Sequence, residues 1–281
     1  MLQLTLLNGF SQNRKQLSKK GYVKQKEYFV EIPFKYVNKH IFIEVMISEK
    51  KYNFLFDTGC EITTIDPKIS NEINYKFIKE ISLSGSSIAN QKVNLVELPN
   101  ISISNLIFEE TYGMMQDLSY IKENKESNKV NGVIGNNLMR KSRWQIDYVK
   151  KVIRISNKID QFKNIPTAKK IELNKKDWGL GYVDIELNNQ KHKFIFDLGS
   201  SGELTANHSF VKFLKQKDTL LQQEKQTFPV GKIKVGEIEL DDKSITLEKN
   251  ASSLLGNAFF ENYLVTIDWD KNILYLNQNT N

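Results

Sequence analysis

The chain has 281 residues, 40% of them hydrophobic and 11% aromatic, with a formal net charge of +7, which is length enough for two lobes with cores of their own. A single cysteine, Cys60, excludes an intrachain disulfide framework and leaves the compartment open. The positive charge does not by itself make a nucleic-acid binder, because the lysines are scattered among Asn and Ile, with no basic helix, zinc-ligand spacing or aromatic RNA-binding signature. It reads as a solvated surface that biases association toward anionic substrates.

Residues 1–27 form an N-terminal lead-in. Met1 to Phe10 is apolar but too short to span a membrane, and no basic residues precede it. Two readings stay open for it, an exposed tail or the remnant of a signal peptide that starts upstream. The second would make the protein extracytoplasmic, either periplasmic or secreted. From Tyr28 onward the apolar residues fall in short alternating runs with little helical periodicity, so the expected class is mainly β. Strands are expected over Tyr28 to Phe34 and Ile41 to Ile47, then Glu49-Lys50-Lys51 turns into the run Phe54-Leu55-Phe56-Asp57-Thr58-Gly59. Thr63 to Lys68 reads as strand, turn and short helix. Ile81 to Val96 reads as a hairpin around a Gly/Ser/Asn tip. Tyr120 to Val130 has the composition of a loop, and residues 158–170, with Pro166, that of a linker between a lobe at 28–157 and a lobe at 171–277. Val211 to Lys225 is expected to be helical.

The two lobes repeat one another. Phe194-Ile195-Phe196-Asp197-Leu198-Gly199 restates the run that ends in Gly59, and in each copy an alternating strand starts at the same distance upstream (57 − 43 = 14 and 197 − 183 = 14). Downstream, Val133-Ile134-Gly135-Asn136 is matched by Leu254-Leu255-Gly256-Asn257. An Ile-Asp-aromatic triplet then follows each glycine at one spacing (147 − 135 = 12 and 268 − 256 = 12). Blocks repeated in order mark an internal duplication.

Apolar residues running into Asp57-Thr58-Gly59, with Val133-Ile134-Gly135 later in the same lobe, resemble the aspartic proteases of the retropepsin and pepsin group, and the duplication resembles their bilobal members, including bacterial ones. The resemblance covers roughly residues 28–277. It implies two similar acid-protease-like β-barrel lobes with a cleft between them, and a catalytic dyad of Asp57 and Asp197. Thr58, Gly59, Gly199 and Ser200 would support the dyad. The Ile81 to Val96 hairpin would be the flap, with Ser84, Gly85, Ser86 and Ser87 over the substrate. The second lobe is shorter between its landmarks (256 − 197 = 59 against 135 − 57 = 78), and the missing 19 residues (78 − 59) fall where a second flap would lie, so one flap is expected.

Two carboxyl groups held close cannot both ionise cheaply, so they share a proton, and the pair can activate water against a peptide carbonyl without a covalent intermediate. The implied function is an aspartic endopeptidase, a monomer acting on a peptide or protein in the interlobe cleft, with no cofactor, metal, nucleic acid or membrane-integral segment. One residue departs from the pattern. The family has a hydroxyl after each aspartate, each hydrogen-bonding to the opposite loop, and Leu198 has none. This opens the alternative of a catalytically impaired, peptide-binding relative. Ser200 is expected to hydrogen-bond Asp197, and Cys60, in the matching place, is a poor substitute. His40, His192 and His208 have no metal-ligand spacing, Ser200-Ser201-Gly202 is not a nucleophile elbow, and Cys60 reads as a buried filler.

Overall fold

The structure is a computed structural model that describes residues 5–6, 17, 20–85, 88–121, 129–175, 179–214 and 224–279. Short strands β1 (Thr5–Leu6) and β2 (Tyr22–Val23) precede β3 (Phe29–Pro33), β4 (Lys35–Val37), β5 (His40–Ile47) and β6 (Lys50–Phe56). Then come β7 (Thr64–Ile65), a 3-10 turn (Pro67–Glu72) and the long hairpin β8 (Lys76–Gly85) and β9 (Ile88–Glu97). The lobe continues through β10 (Ile101–Ile103), β11 (Leu106–Glu109), β12 (Tyr112–Met115), β13 (Gly132–Ile134), a single helical turn α1 (Asn136–Met139), β14 (Arg143–Asp147) and β15 (Val152–Ser156). The 3-10 turn starts where expected: the Asp66 carboxylate accepts the Lys68 N–H and Pro67 opens the turn.

Lobe two holds β16 (Lys169–Glu172), β17 (Asn174–Lys175), β18 (Gly181–Leu187), β19 (Gln190–Asp197) and β20 (Leu204–Asn207). It ends with β21 (Lys225–Val235), β22 (Ile238–Glu248), β23 (Leu254–Gly256), α2 (Asn257–Phe260), β24 (Tyr263–Asp268) and β25 (Ile273–Gln278). Strict alternation in β18 buries Val183, Ile185 and Leu187 on one face, the period-2 signature of a half-buried strand. Strands β18, β19, β23, β20, β22 and β21 pair in that order, and β21 returns to β18 through Ile185↔Val235, closing a six-stranded barrel. Lobe one repeats the same pairings in a larger half-barrel. β13 lies parallel to β6 as β23 does to β19, β12 parallel to β7 as β22 does to β20, and β10 pairs β5 as the end of β21 pairs β18.

Of Val211 to Lys225, expected to be helical, residues 211–213 end a 3-10 turn over His208–Phe213, Lys225 begins β21, and 215–223 lie outside the described residues. Phe210 and Phe213 pack edge-on to each other and against His192, and Asn207 caps the turn through the Ser209 N–H. The stretch 158–170 contains two 3-10 turns, and its last two residues already pair in β16. In lobe two β21 does alone what β9 and β10 do together in lobe one, and among the described residues no strand of lobe two corresponds to β8, residues 215–223 before β21 lying outside them.

A six-stranded sheet, in the order β16-β25-β24-β14-β15-β3, joins the lobes. Its centre is the antiparallel pair β14–β24, with Trp144 opposite Ile267 and Ile146 opposite Val265. All four are buried, and each fully buried apolar side chain of this size contributes roughly 1.5–3 kcal/mol. Trp144 packs on Phe56 at 5.3 Å, and Phe196 on Phe260 at 5.2 Å, so the strand that delivers each aspartate rests on a buried aromatic. Among the described residues no helix is long and apolar enough to cross a membrane.

Candidate active site

Asp57 follows β6 and Asp197 ends β19, two strands buried at that end because each runs between neighbours inside its barrel. Each aspartate is about 2% exposed. The two loops approach so closely that each carboxyl lies over the glycine of the other. A Cβ added at Gly59 would come under 3.0 Å from the Asp197 carboxyl, and one at Gly199 equally close to that of Asp57. Only glycine leaves room for the opposite carboxyl at either place. The two carboxyl groups lie close enough for each to act on the protonation of the other.

Burial pushes both carboxyls above the ordinary aspartate range. The neighbouring charge of Asp197 raises Asp57 further, well above its usual value, against a hydrogen bond from the Gly59 N–H (2.7 Å) that favours ionisation. Asp197 is raised less, because the shared bond from Asp57 and the backbone of Gly199 and Ser200 favour its charged form. Burial and mutual repulsion therefore favour one shared proton over ionisation of both carboxyls.

Thr58 reaches across the lobes. Its hydroxyl donates to the Phe196 carbonyl (2.8 Å) and accepts from the Leu198 N–H (2.9 Å). Leu198 is fully buried in the apolar core. Ser200 departs from expectation: its buried hydroxyl has no protein partner among the described residues, and it is the backbone of Ser200 that favours the Asp197 charge. The Cys60 thiol turns away to the Ile62 carbonyl (3.1 Å), and burial raises it well above the ordinary thiol range, which keeps it protonated and inert. Ser84 and Gly85 lie at the end of β8, while Ser86 and Ser87 lie outside the described residues. The base of that hairpin is anchored through Ile81, Val93 and Leu95, which share an apolar cluster with Cys60 and Leu118 beside the Asp57 loop.

The site also contains residues to which the sequence reading gave no role. Asn136 donates its amide to the Thr58 carbonyl (2.7 Å), fixing the first loop from below. Asn137 accepts from both the Thr63 N–H and its hydroxyl, and Thr63 accepts the Gly135 N–H. The signal for Asn136 and Asn257 was present, since an asparagine follows the glycine in both copies. Among the described residues no group of three His, Cys, Asp or Glu side chains is placed to hold a metal ion.

A protein-family model described as aspartyl protease matches residues 43–138, the part of lobe one from β5 to α1. A search of curated proteins finds no match. Among solved structures the chain is similar to basic 7S globulin from soybean, with a TM-score of 0.55 and 10% identity over 90% of this chain and 96% of that one. The chain therefore has an aspartic-protease-like fold, with an aspartyl protease signature in its first lobe.

Proposed function

We propose that the protein is an aspartic endopeptidase that hydrolyses peptide bonds with a water molecule held between Asp57 and Asp197. One observation carries this: each carboxyl packs against the glycine of the opposite loop, a placement with no packing purpose that a neutral side chain would not serve better. We assign the ionised role to Asp197, which takes a proton from water as the water oxygen bonds to the peptide carbonyl carbon. Asp57 gives its proton to the carbonyl oxygen, leaving a neutral gem-diol. The C–N bond then breaks as Asp197 passes its proton to the nitrogen, and one gem-diol hydroxyl returns a proton to Asp57. Atoms and protons balance with water and peptide alone.

The lobes are taken as residues 28–157 and 171–277, and the substrate as an extended peptide beneath the hairpin of lobe one. Since one chain supplies both carboxyls, a monomer suffices. The second reading, a peptide-binding protein without turnover, rests on Leu198. Incubation with a mixed peptide library across a pH series, with and without a statine-type inhibitor, separates the two. Inhibitor-sensitive cleavage that is lost in Asp57→Asn and Asp197→Asn is the expected result. Peptide retention without cleavage at any pH supports the second reading instead.

A further inference from the structure

Leu198 leaves the Asp197 loop without a side-chain hydroxyl to grip lobe one, yet that loop is tied to lobe one by another route. The two asparagines that follow the repeated glycines do different jobs. Asn136 serves its own lobe through the Thr58 carbonyl, and its amide oxygen is buried without a protein partner among the described residues. Asn257, at the matching place, pairs its backbone N–H and both polar atoms of its side-chain amide. Its backbone N–H donates to the carbonyl of Ser200, in the Asp197 loop (2.7 Å). Its side-chain amide donates to the Lys39 carbonyl in lobe one (2.9 Å), and its amide oxygen accepts from the Tyr148 hydroxyl, also in lobe one.

The segment it grips is the β4–β5 turn, where Asn38 and Lys39 both adopt left-handed backbone conformations. Lobe two holds that turn at a second place. Glu261, just past α2, accepts from the Tyr36 hydroxyl (2.7 Å) and pairs with Lys39 (3.7 Å). Tyr36, Tyr148 and Phe34 pack edge-on at 5.5–6.3 Å, which fixes both hydroxyls. The next residue, His40, is held below its ordinary pKa by burial, while backbone groups of Asn38, Gly199 and Val37 oppose that shift. The turn thus also touches the Asp197 loop itself. The other lobe boundary has a matching strap: Arg140, the counterpart of Glu261 (261 − 140 = 257 − 136 = 121), donates to the Gly179 carbonyl and lies over Trp269.

We infer that Asn257 is a positioning residue for Asp197, bridging the Asp197 loop to the Lys39 carbonyl and the Tyr148 hydroxyl of lobe one, where Leu198 has no hydroxyl to offer. The inference rests on the proposed dyad, and physically on burial. A fully buried amide is tolerated when its groups are paired, and here the pairs span two lobes. Thr58 holds the same loop from the other side, through Phe196 and Leu198. Two holds on one loop must be coupled.

The test is a cycle of Asn257→Ala and Thr58→Val in the full chain, with Tyr148→Phe as the milder variant should Asn257→Ala fold poorly. Peptide turnover is read together with two measurements that need no activity: carboxyl titration of Asp57 and Asp197 by carbon NMR, and amide hydrogen exchange at Leu198, Gly199 and Ser200. Asn257→Ala is expected to lower kcat about tenfold, the effect of losing roughly one net hydrogen bond of alignment, with KM little changed. It should also shift the Asp197 titration and speed exchange in its loop. The double variant should lose more than the product of the single effects. Unchanged titration and exchange in both Asn257→Ala and Tyr148→Phe, or strictly multiplicative losses, overturn the inference. If the wild-type protein shows no turnover, the proposed function fails, while titration and exchange still decide the role of Asn257.

Discussion

Thr58 and Leu198 occupy the same place in the two lobes, and only Thr58 holds the other: its hydroxyl donates to the carbonyl before Asp197 and accepts the N–H of Leu198 itself. The lobe contact at the dyad is therefore asymmetric in its bonds even though the backbones repeat.

Thr58→Val keeps the shape and removes the hydroxyl, leaving the Phe196 carbonyl and the Leu198 N–H unpaired in a buried contact. Unfolding stability should fall by about 1–3 kcal/mol. Peptide turnover should fall further than the loss of folded protein explains, because the lobes lose register at the reacting groups. Denaturant titration together with turnover per folded molecule checks both. A variant as stable and as active as the wild type would show that the bond is incidental.

Both aspartates are raised in the folded state by burial, so the sign of their pH effect is fixed. A carboxyl whose folded pKa lies above its unfolded value contributes stability below about pH 3.9, and loses it as pH rises through the folded pKa. The coupled pair carries this loss together. Asp57→Asn should therefore gain stability relative to wild type as pH rises above about 4, while abolishing cleavage. Unfolding curves of the two proteins across pH 3–8, approximately the range over which the groups titrate, provide the check. Parallel curves would mean that Asp57 ionises normally and is no proton holder.

Gly199→Ala places a methyl group against the Asp57 carboxyl. The loops must part, at a stability cost of about 1–3 kcal/mol, and the carboxyls separate. Activity should drop at least a hundredfold, the contribution typical of a positioned acid or base. Carboxyl titration should show Asp57 returning toward ordinary values as Asp197 moves away. Normal turnover in Gly199→Ala would remove the reason for the glycine.

What could be read in the sequence was what is local or repeated. Phe54 to Phe56 and Phe194 to Phe196 are short apolar runs that end in a carboxylate, and their matched offsets placed both aspartates and both parallel neighbours. The capped turn at Asp66 and Pro67 was legible for the same reason. Bonds between the lobes were not. The Asn257 amide meets a carbonyl 218 residues away, and nothing in Gly256-Asn257 distinguishes it from Gly135-Asn136, whose asparagine serves its own lobe. The packing of Phe210 and Phe213 on His192, beside the short 3-10 turn over His208–Phe213, was likewise not legible, because it joins residues far apart in the chain.

Leu198→Thr adds the hydroxyl that the second loop lacks, and by symmetry alone it would improve the protein. The structure argues for the opposite sign. Leu198 is fully buried in the core, and Thr58 already satisfies its N–H. A threonine there removes apolar volume and leaves a small void, and its hydroxyl must find a partner in a contact packed around a leucine. An unsatisfied buried hydroxyl costs about 1–3 kcal/mol. Stability should fall by that order, and turnover per folded molecule should fall with it, because the Asp197 loop shifts to accommodate the polar group. Turnover measured at equal folded fraction decides the matter, and a clear increase over wild type would show that the leucine is a defect in the lock, not part of its packing.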